Sequence, residues 1–167
     1  MNVKAMSVLI TFSLSACTPM VLAKPGAGLN QSDQLKTAVD QIVTENKEAC
    51  RREEYQPLYL KSACKVSDIS PEQLADTSRI SATEKSLFQK LQSENQARIE
   101  RAVSAYRSNG GAQGLDGAVV LERTERLLEK NALDLSDGTI SWGDYSKRRK
   151  DIQRFYLDEF DKTISPK

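Results

Sequence analysis

The chain has 167 residues, 24 basic and 23 acidic side chains, a formal net charge of +1 and no histidine. A charge balance this even leaves no electrostatic footprint for nucleic acid or for an anionic membrane surface. The lack of histidine removes the commonest metal ligand and the side chain that titrates nearest neutrality.

The first element is an export leader. Met1-Asn2-Val3-Lys4 supplies one positive charge, and the uncharged run from Ala5 to Ala16 carries Val8, Leu9, Ile10, Phe12 and Leu14. That run is shorter than the roughly 20 apolar residues that span a hydrocarbon core. No later segment is long and apolar enough either, which excludes a polytopic membrane protein. Leu14-Ser15-Ala16-Cys17 then resembles the lipidation box of bacterial lipoprotein precursors: an aliphatic residue, two small residues and a cysteine. The resemblance implies that residues 1–16 are a signal peptide, that cleavage precedes Cys17, and that its thiol carries lipid such as palmitate. Two or more acyl chains, at about 0.8 kcal/mol per buried methylene, hold a protein stably on a membrane. The residue after the cysteine is Thr18 rather than aspartate, which in such lipoproteins implies the periplasmic face of the outer membrane. A second cleavage is open: Val21-Leu22-Ala23, with Pro19 just before it, fits a small-x-small site after Ala23 and a soluble periplasmic product.

Lys24 to Gln31 contains Pro25, Gly26 and Gly28 and reads as a flexible tether, so residues 17–31 are expected to be anchor and tether and residues 32–167 one helical domain. Lys4 is the leader's only charge, and the mature chain is left with equal numbers of acidic and basic residues. Either cut also sets Cys17 apart, leaving Cys50 and Cys64 as a pair. In an oxidising compartment such a pair is most simply a disulfide, and a ring of about 15 residues implies about 3 kcal/mol of stabilisation.

Helical periodicity governs the rest. Ser32 is expected to cap a helix to about Glu54, with Leu35, Val39, Ile42, Val43, Ala49 and Cys50 on one stripe. Residues 55–70 are expected to be irregular, because Pro57 disfavours helix at Gln56; Leu58, Tyr59 and Leu60 are expected to fold back on the core, and with Tyr55 they form a candidate partner-contact loop held by the disulfide. Ser70-Pro71-Glu72-Gln73 has the pattern of a capping box with proline at the first helical position and predicts a short helix to Asp76. Ser81-Ala82-Thr83-Glu84 predicts another, opening the longest helix to about Ser108. Its stripe is Leu87, Phe88, Leu91, Ile99, Ala102, Val103 and Tyr106, with Asn95 where an apolar residue belongs. The run from Asn109 to Gly114 is expected to form a connecting turn; it lacks the Gly-Lys-Ser/Thr end of a phosphate-binding loop. A helix over Asp116–Asn131 follows, with Val119, Val120, Thr124, Leu127 and Leu128 inward. Ser141 then caps a last helix to about Thr163, whose stripe of Trp142, Tyr145, Ile152, Phe155, Tyr156 and Phe160 holds half of the chain's aromatic residues and reads as core.

Two motifs bear on chemistry. Asp137-Gly138-Thr139-Ile140-Ser141-Trp142-Gly143-Asp144 resembles the second half of an EF-hand loop, but Leu133 and Leu135 would fall on ligand positions and Asp144 stands where a bidentate glutamate belongs. The same residues suit a joint between helices. Lys147-Arg148-Arg149-Lys150 is a basic run that spreads around most of a helical turn and reads as a solvated face.

The expected fold is all-α, a small antiparallel bundle of about four helices plus a short one, with one disulfide-tied loop. The expected function is non-enzymatic: an envelope lipoprotein, held to the membrane through Cys17, that binds an envelope protein or stabilises an assembly. A soluble periplasmic inhibitor or immunity-type protein is the alternative, and a periplasmic enzyme the third reading. No catalytic set, cofactor, metal, nucleic acid or small-molecule substrate is indicated.

Overall fold

In the computed structural model, which describes residues 29–164, six α-helices succeed one another, and no strand occurs among the described residues. They are α1 (Leu29–Ala49), α2 (Gln56–Lys61), α3 (Pro71–Leu74), α4 (Ala82–Asn109), α5 (Gly111–Ser136) and α6 (Trp142–Ile164). Two 3₁₀ turns, Glu53–Tyr55 and Val66–Asp68, flank α2. The long helices form the expected all-α bundle: α4 packs against α1 and α5, and α5 packs against α6. The leader, both cleavage sites, Cys17 and the tether to Gly28 lie outside the described residues.

Helix starts follow their caps. Ser70 Oγ accepts from Gln73 N while the Gln73 side chain accepts from Ser70 N, and Ser81 and Glu84 repeat the exchange at α4. At α6, Ser141 Oγ accepts from Asp144 N at 3.1 Å, and Asp144 accepts from the Ser141 hydroxyl at 2.8 Å. The half EF-hand motif is therefore a capped joint, with Gly138 at a φ of +67° and Ile140 buried.

Four expectations are corrected. Helix α1 begins at Leu29, which takes Leu29–Gln31 out of the tether and puts Ser32 inside the first turn instead of at the cap; it ends at Ala49, before the expected Glu54. Residues 55–70 are largely structured, since Pro57 sits in the first turn of α2, where its missing N–H costs nothing. The glycine run is not a separate turn: α5 starts at Gly111, directly after the break at Gly110. Its inner face is only partly the one expected. Val120 and Thr124 are buried as expected, and Gly114, Gly117, Ala118, Leu121, Asn131, Ala132 and Leu135 are buried with them, while Val119 and Leu127 are 44% and 41% exposed. Small residues occupy the inner face because α4 and α5 approach backbone to backbone; a Cβ on Gly114 would lie 2.5 Å from the Tyr106 carbonyl oxygen.

The core has two principal parts. Val39, Ile42, Ile99, Ala102, Val103, Tyr106, Leu121, Tyr156 and Phe160 belong to one cluster. Tyr55, Leu58, Phe88, Leu91, Leu135, Ile140, Trp142 and Tyr145 belong to the other. In the second, Phe88, Trp142 and Tyr145 form a triangle of edge-to-face contacts with centroids 5.5–5.8 Å apart, a geometry the ring quadrupoles favour.

Candidate functional site

Along α4, the residues between Leu91 of one cluster and Ile99 of the other include Gln92, Asn95 and Arg98. Along α6, Ser146 and Arg149 lie between Tyr145 and Tyr156 in the same way. Near the end of α1, Asn46 is 7% exposed. Asn46, Gln92, Asn95, Arg98 and Arg149, with Tyr59, Ser62 and Cys64 of the disulfide-bounded segment, bring polar groups together beside the apolar Leu58, Phe88, Leu91, Leu128 and Trp142. A cavity of about 50 Å³ opens there, several times the roughly 10–15 Å³ that one water requires.

Arg149 is the best-held member. It is 8% exposed; Nη1 donates to Ser62 Oγ and to the Ala63 carbonyl, each at 2.7 Å, and Nη2 donates to the Cys64 carbonyl at 2.9 Å. Ser146 donates to Ser62 Oγ at 2.8 Å, so Ser62 joins two residues of α6. Burial holds the Arg149 guanidinium below its ordinary pKa, and tyrosines 145 and 59 oppose that shift. The basic run is thus no single solvated face. Arg149 points inward, Arg148 pairs with Asp134, Lys147 pairs with Asp144, and Lys150 reaches the Ile69 carbonyl at 3.4 Å.

Arg98 is 6% exposed. Its Nη2 donates to Asn95 Oδ1 at 2.5 Å and its Nη1 lies 3.8 Å from Glu94, while its buried Nε has no hydrogen-bond partner. Asn95, which the apolar stripe singled out, is therefore a partly buried partner of a buried cation. Glu94 is largely occupied elsewhere: Arg52 grips it with two bonds of 3.0 and 2.7 Å, and Tyr55 donates to it at 2.7 Å. Burial pushes the Glu94 carboxyl up, but the bonds from Arg52 and Tyr55 outweigh that and hold it below its ordinary value. Burial lowers Arg98, with Glu94 opposing. Both Arg98 and Arg149 act on Tyr59, whose hydroxyl burial nevertheless pushes up to about 12.

The residues expected from sequence are placed as follows. Cys50 and Cys64 form a disulfide, with Cα atoms 5.6 Å apart. Tyr55 and Leu58 are 0% and 2% exposed and belong to the core, so they do not form a partner-contact loop with Tyr59 and Leu60. Tyr59 is partly buried and donates to the Ala49 carbonyl at 3.3 Å, and Leu60 alone of the four is open to solvent, at 79%. The reason is the 3₁₀ turn and α2, which set Tyr55, Leu58 and Tyr59 against the cluster of Phe88 and Leu91 and leave Leu60 outward. Arg98 and Arg149 were the functional candidates that sequence patterning missed. Among the described residues no group of three His, Cys, Asp or Glu side chains is placed to hold a metal ion, and no helix is long and apolar enough to cross a membrane.

Comparison with protein-family models finds no match, and comparisons with curated proteins and with solved structures find none either.

Proposed function

We propose that the protein is a lipid-anchored envelope protein, without enzymatic activity, whose helical domain binds another envelope protein or stabilises an assembly. The observation that carries this reading is Leu14-Ser15-Ala16-Cys17 at the end of an export leader. The Cys50–Cys64 disulfide supports an oxidising compartment. With no histidine in the chain, a Ser–His or Cys–His nucleophile–base pair has no base. A contact for a partner is supported on α5: Leu115 and Leu133, about five helical turns apart and hence on one side, are 53% and 55% exposed, and Val119, about one turn from Leu115, is 44% exposed.

Mass analysis of the mature N-terminus tests the anchor. An acylated Cys17 that disappears in Cys17→Ala is the expected result, and a mature chain beginning at Lys24 overturns it. Co-purification from detergent-solubilised envelopes tests the binding role. One partner should recur with the native protein and be lost from the Leu115→Asp, Leu133→Asp double variant; equal recovery by both rejects the α5 face.

A further inference from the structure

The cavity between the helices carries a charge imbalance. Arg98 and Arg149 both line it, and among the described residues no aspartate or glutamate does. No carboxylate hydrogen-bonds Arg149, whose recorded partners are a hydroxyl and two carbonyls. The nearest carboxylate to Arg98, Glu94, stands 3.8 Å away and is already held by Arg52 and Tyr55. Isolated buried cations carry a heavy desolvation cost unless a counter-charge offsets it.

The donors are also in surplus. Arg98 Nε and Trp142 Nε1 are buried without hydrogen-bond partners, and both residues, 6% and 1% exposed, line this cavity. Trp142 is the only tryptophan in the chain. Unsatisfied N–H groups beside two guanidinium groups attract an acceptor with negative charge. Water would satisfy the N–H groups and leave Arg149 without a counter-charge, Arg98 having a share in Glu94.

We propose that this cavity binds a small monovalent anion, a halide or a carboxylate of formate size, with Arg98 and Trp142 as donors and Arg149 supplying the second positive charge. The volume of about 50 Å³ admits a ligand of that size. The site is independent of the α5 face and of the lipid anchor.

Trp142 provides the readout. The purified protein is titrated with iodide at constant ionic strength, with gluconate, a much bulkier anion, as the balancing anion. Expected is quenching of the tryptophan emission that saturates, with the half-saturating iodide concentration raised about tenfold or more in Arg98→Met, the scale of one charge-assisted hydrogen bond. Formate then separates the two sources: reversal of quenching extends the ligand to carboxylates, and no reversal restricts it to halides. Quenching that stays linear in iodide overturns the proposal, as does saturation unchanged in a folded Arg98→Met variant. If that variant does not fold, saturation or linearity in the native protein decides.

Discussion

Arg149 Nη1 donates to Ser62 Oγ across 2.7 Å, joining residues 87 apart in sequence. The same guanidinium holds the carbonyls of Ala63 and Cys64. The segment that leaves α2 therefore has its backbone acceptors satisfied by a side chain of α6 instead of by strand or helix partners. A planar fork of donors suits this arrangement, and a lysine ammonium would not span it.

Arg149→Met keeps the length of the side chain and removes every donor. The carbonyls of Ala63 and Cys64 lose charge-assisted bonds, worth about 1.5–3 kcal/mol. A lower urea midpoint with an unchanged denaturant slope is expected. Arg149→Lys should recover only part of the loss. A midpoint that does not move in Arg149→Met would show that the fork contributes nothing net.

The disulfide acts on the same segment by another route. Cys50 and Cys64 are 14 apart in sequence, and opening a ring of that size restores chain entropy to the unfolded state worth about 3 kcal/mol. Cys50→Ala with Cys64→Ala should lower the melting temperature by about 10 °C, and reductant should lower that of the native protein but leave the double variant unaffected. Because Arg149 still holds the Cys64 carbonyl, the double variant is expected to keep its helical circular dichroism at room temperature.

The contrast between these two ties shows where sequence reading reaches. Ser70–Gln73, Ser81–Glu84 and the aromatic stripe of α6 were legible because each signal is local: a cap spans four residues, and a stripe repeats along one helix. The Cys50–Cys64 pair was legible from the cysteine count. Arg149 was not, because Lys147, Arg148, Arg149 and Lys150 point in different directions around α6, and only the tertiary fold decides which of them meets the carbonyls of residues 63 and 64. Arg98 was hidden for the same reason, although Asn95 at an apolar position marked the place. On α5 the larger side chains of Val119 and Leu127 outweighed Gly114, Gly117 and Ala118, whose small size is what admits the neighbouring helix.

Glu94 sets an acid limit on stability. Its ordinary value is 4.5, and in the fold it lies lower because Arg52 and Tyr55 donate to the ionised form. A depressed carboxyl stabilises the native state fully above the unfolded value, and that contribution is lost as pH falls through the folded one. The expected profile is therefore flat through neutrality and falls below the ordinary carboxylate range. Glu94→Gln should cost about 1–2 kcal/mol at neutral pH, allowing for the partial exposure of Arg52, and its urea midpoint should converge on the native one in acid. Parallel profiles for the two proteins would assign the acid sensitivity to other carboxylates.

The start of α6 gives a test of packing without charge. Gly143 N donates to the Asp76 carbonyl at 2.8 Å, and a Cβ at this position would lie 2.6 Å from the Leu74 oxygen and 2.7 Å from the Asp76 oxygen. Both obstacles are backbone, so α3 and the residues after it must move to admit a methyl group. Gly117 is a useful comparison, since its nearest obstacles are ring atoms of Tyr106 and Phe160 at 3.1–3.4 Å. Alanine gains up to about 1 kcal/mol of helix propensity over glycine at either position, whereas overpacking costs about 1–3 kcal/mol. At Gly117 small ring movements leave the two effects nearly balanced; at Gly143 the cost prevails. The expected order of melting temperatures is native and Gly117→Ala close together, with Gly143→Ala well below both. Reversal of the two variants would mean that α3 yields more readily than the aromatic pair.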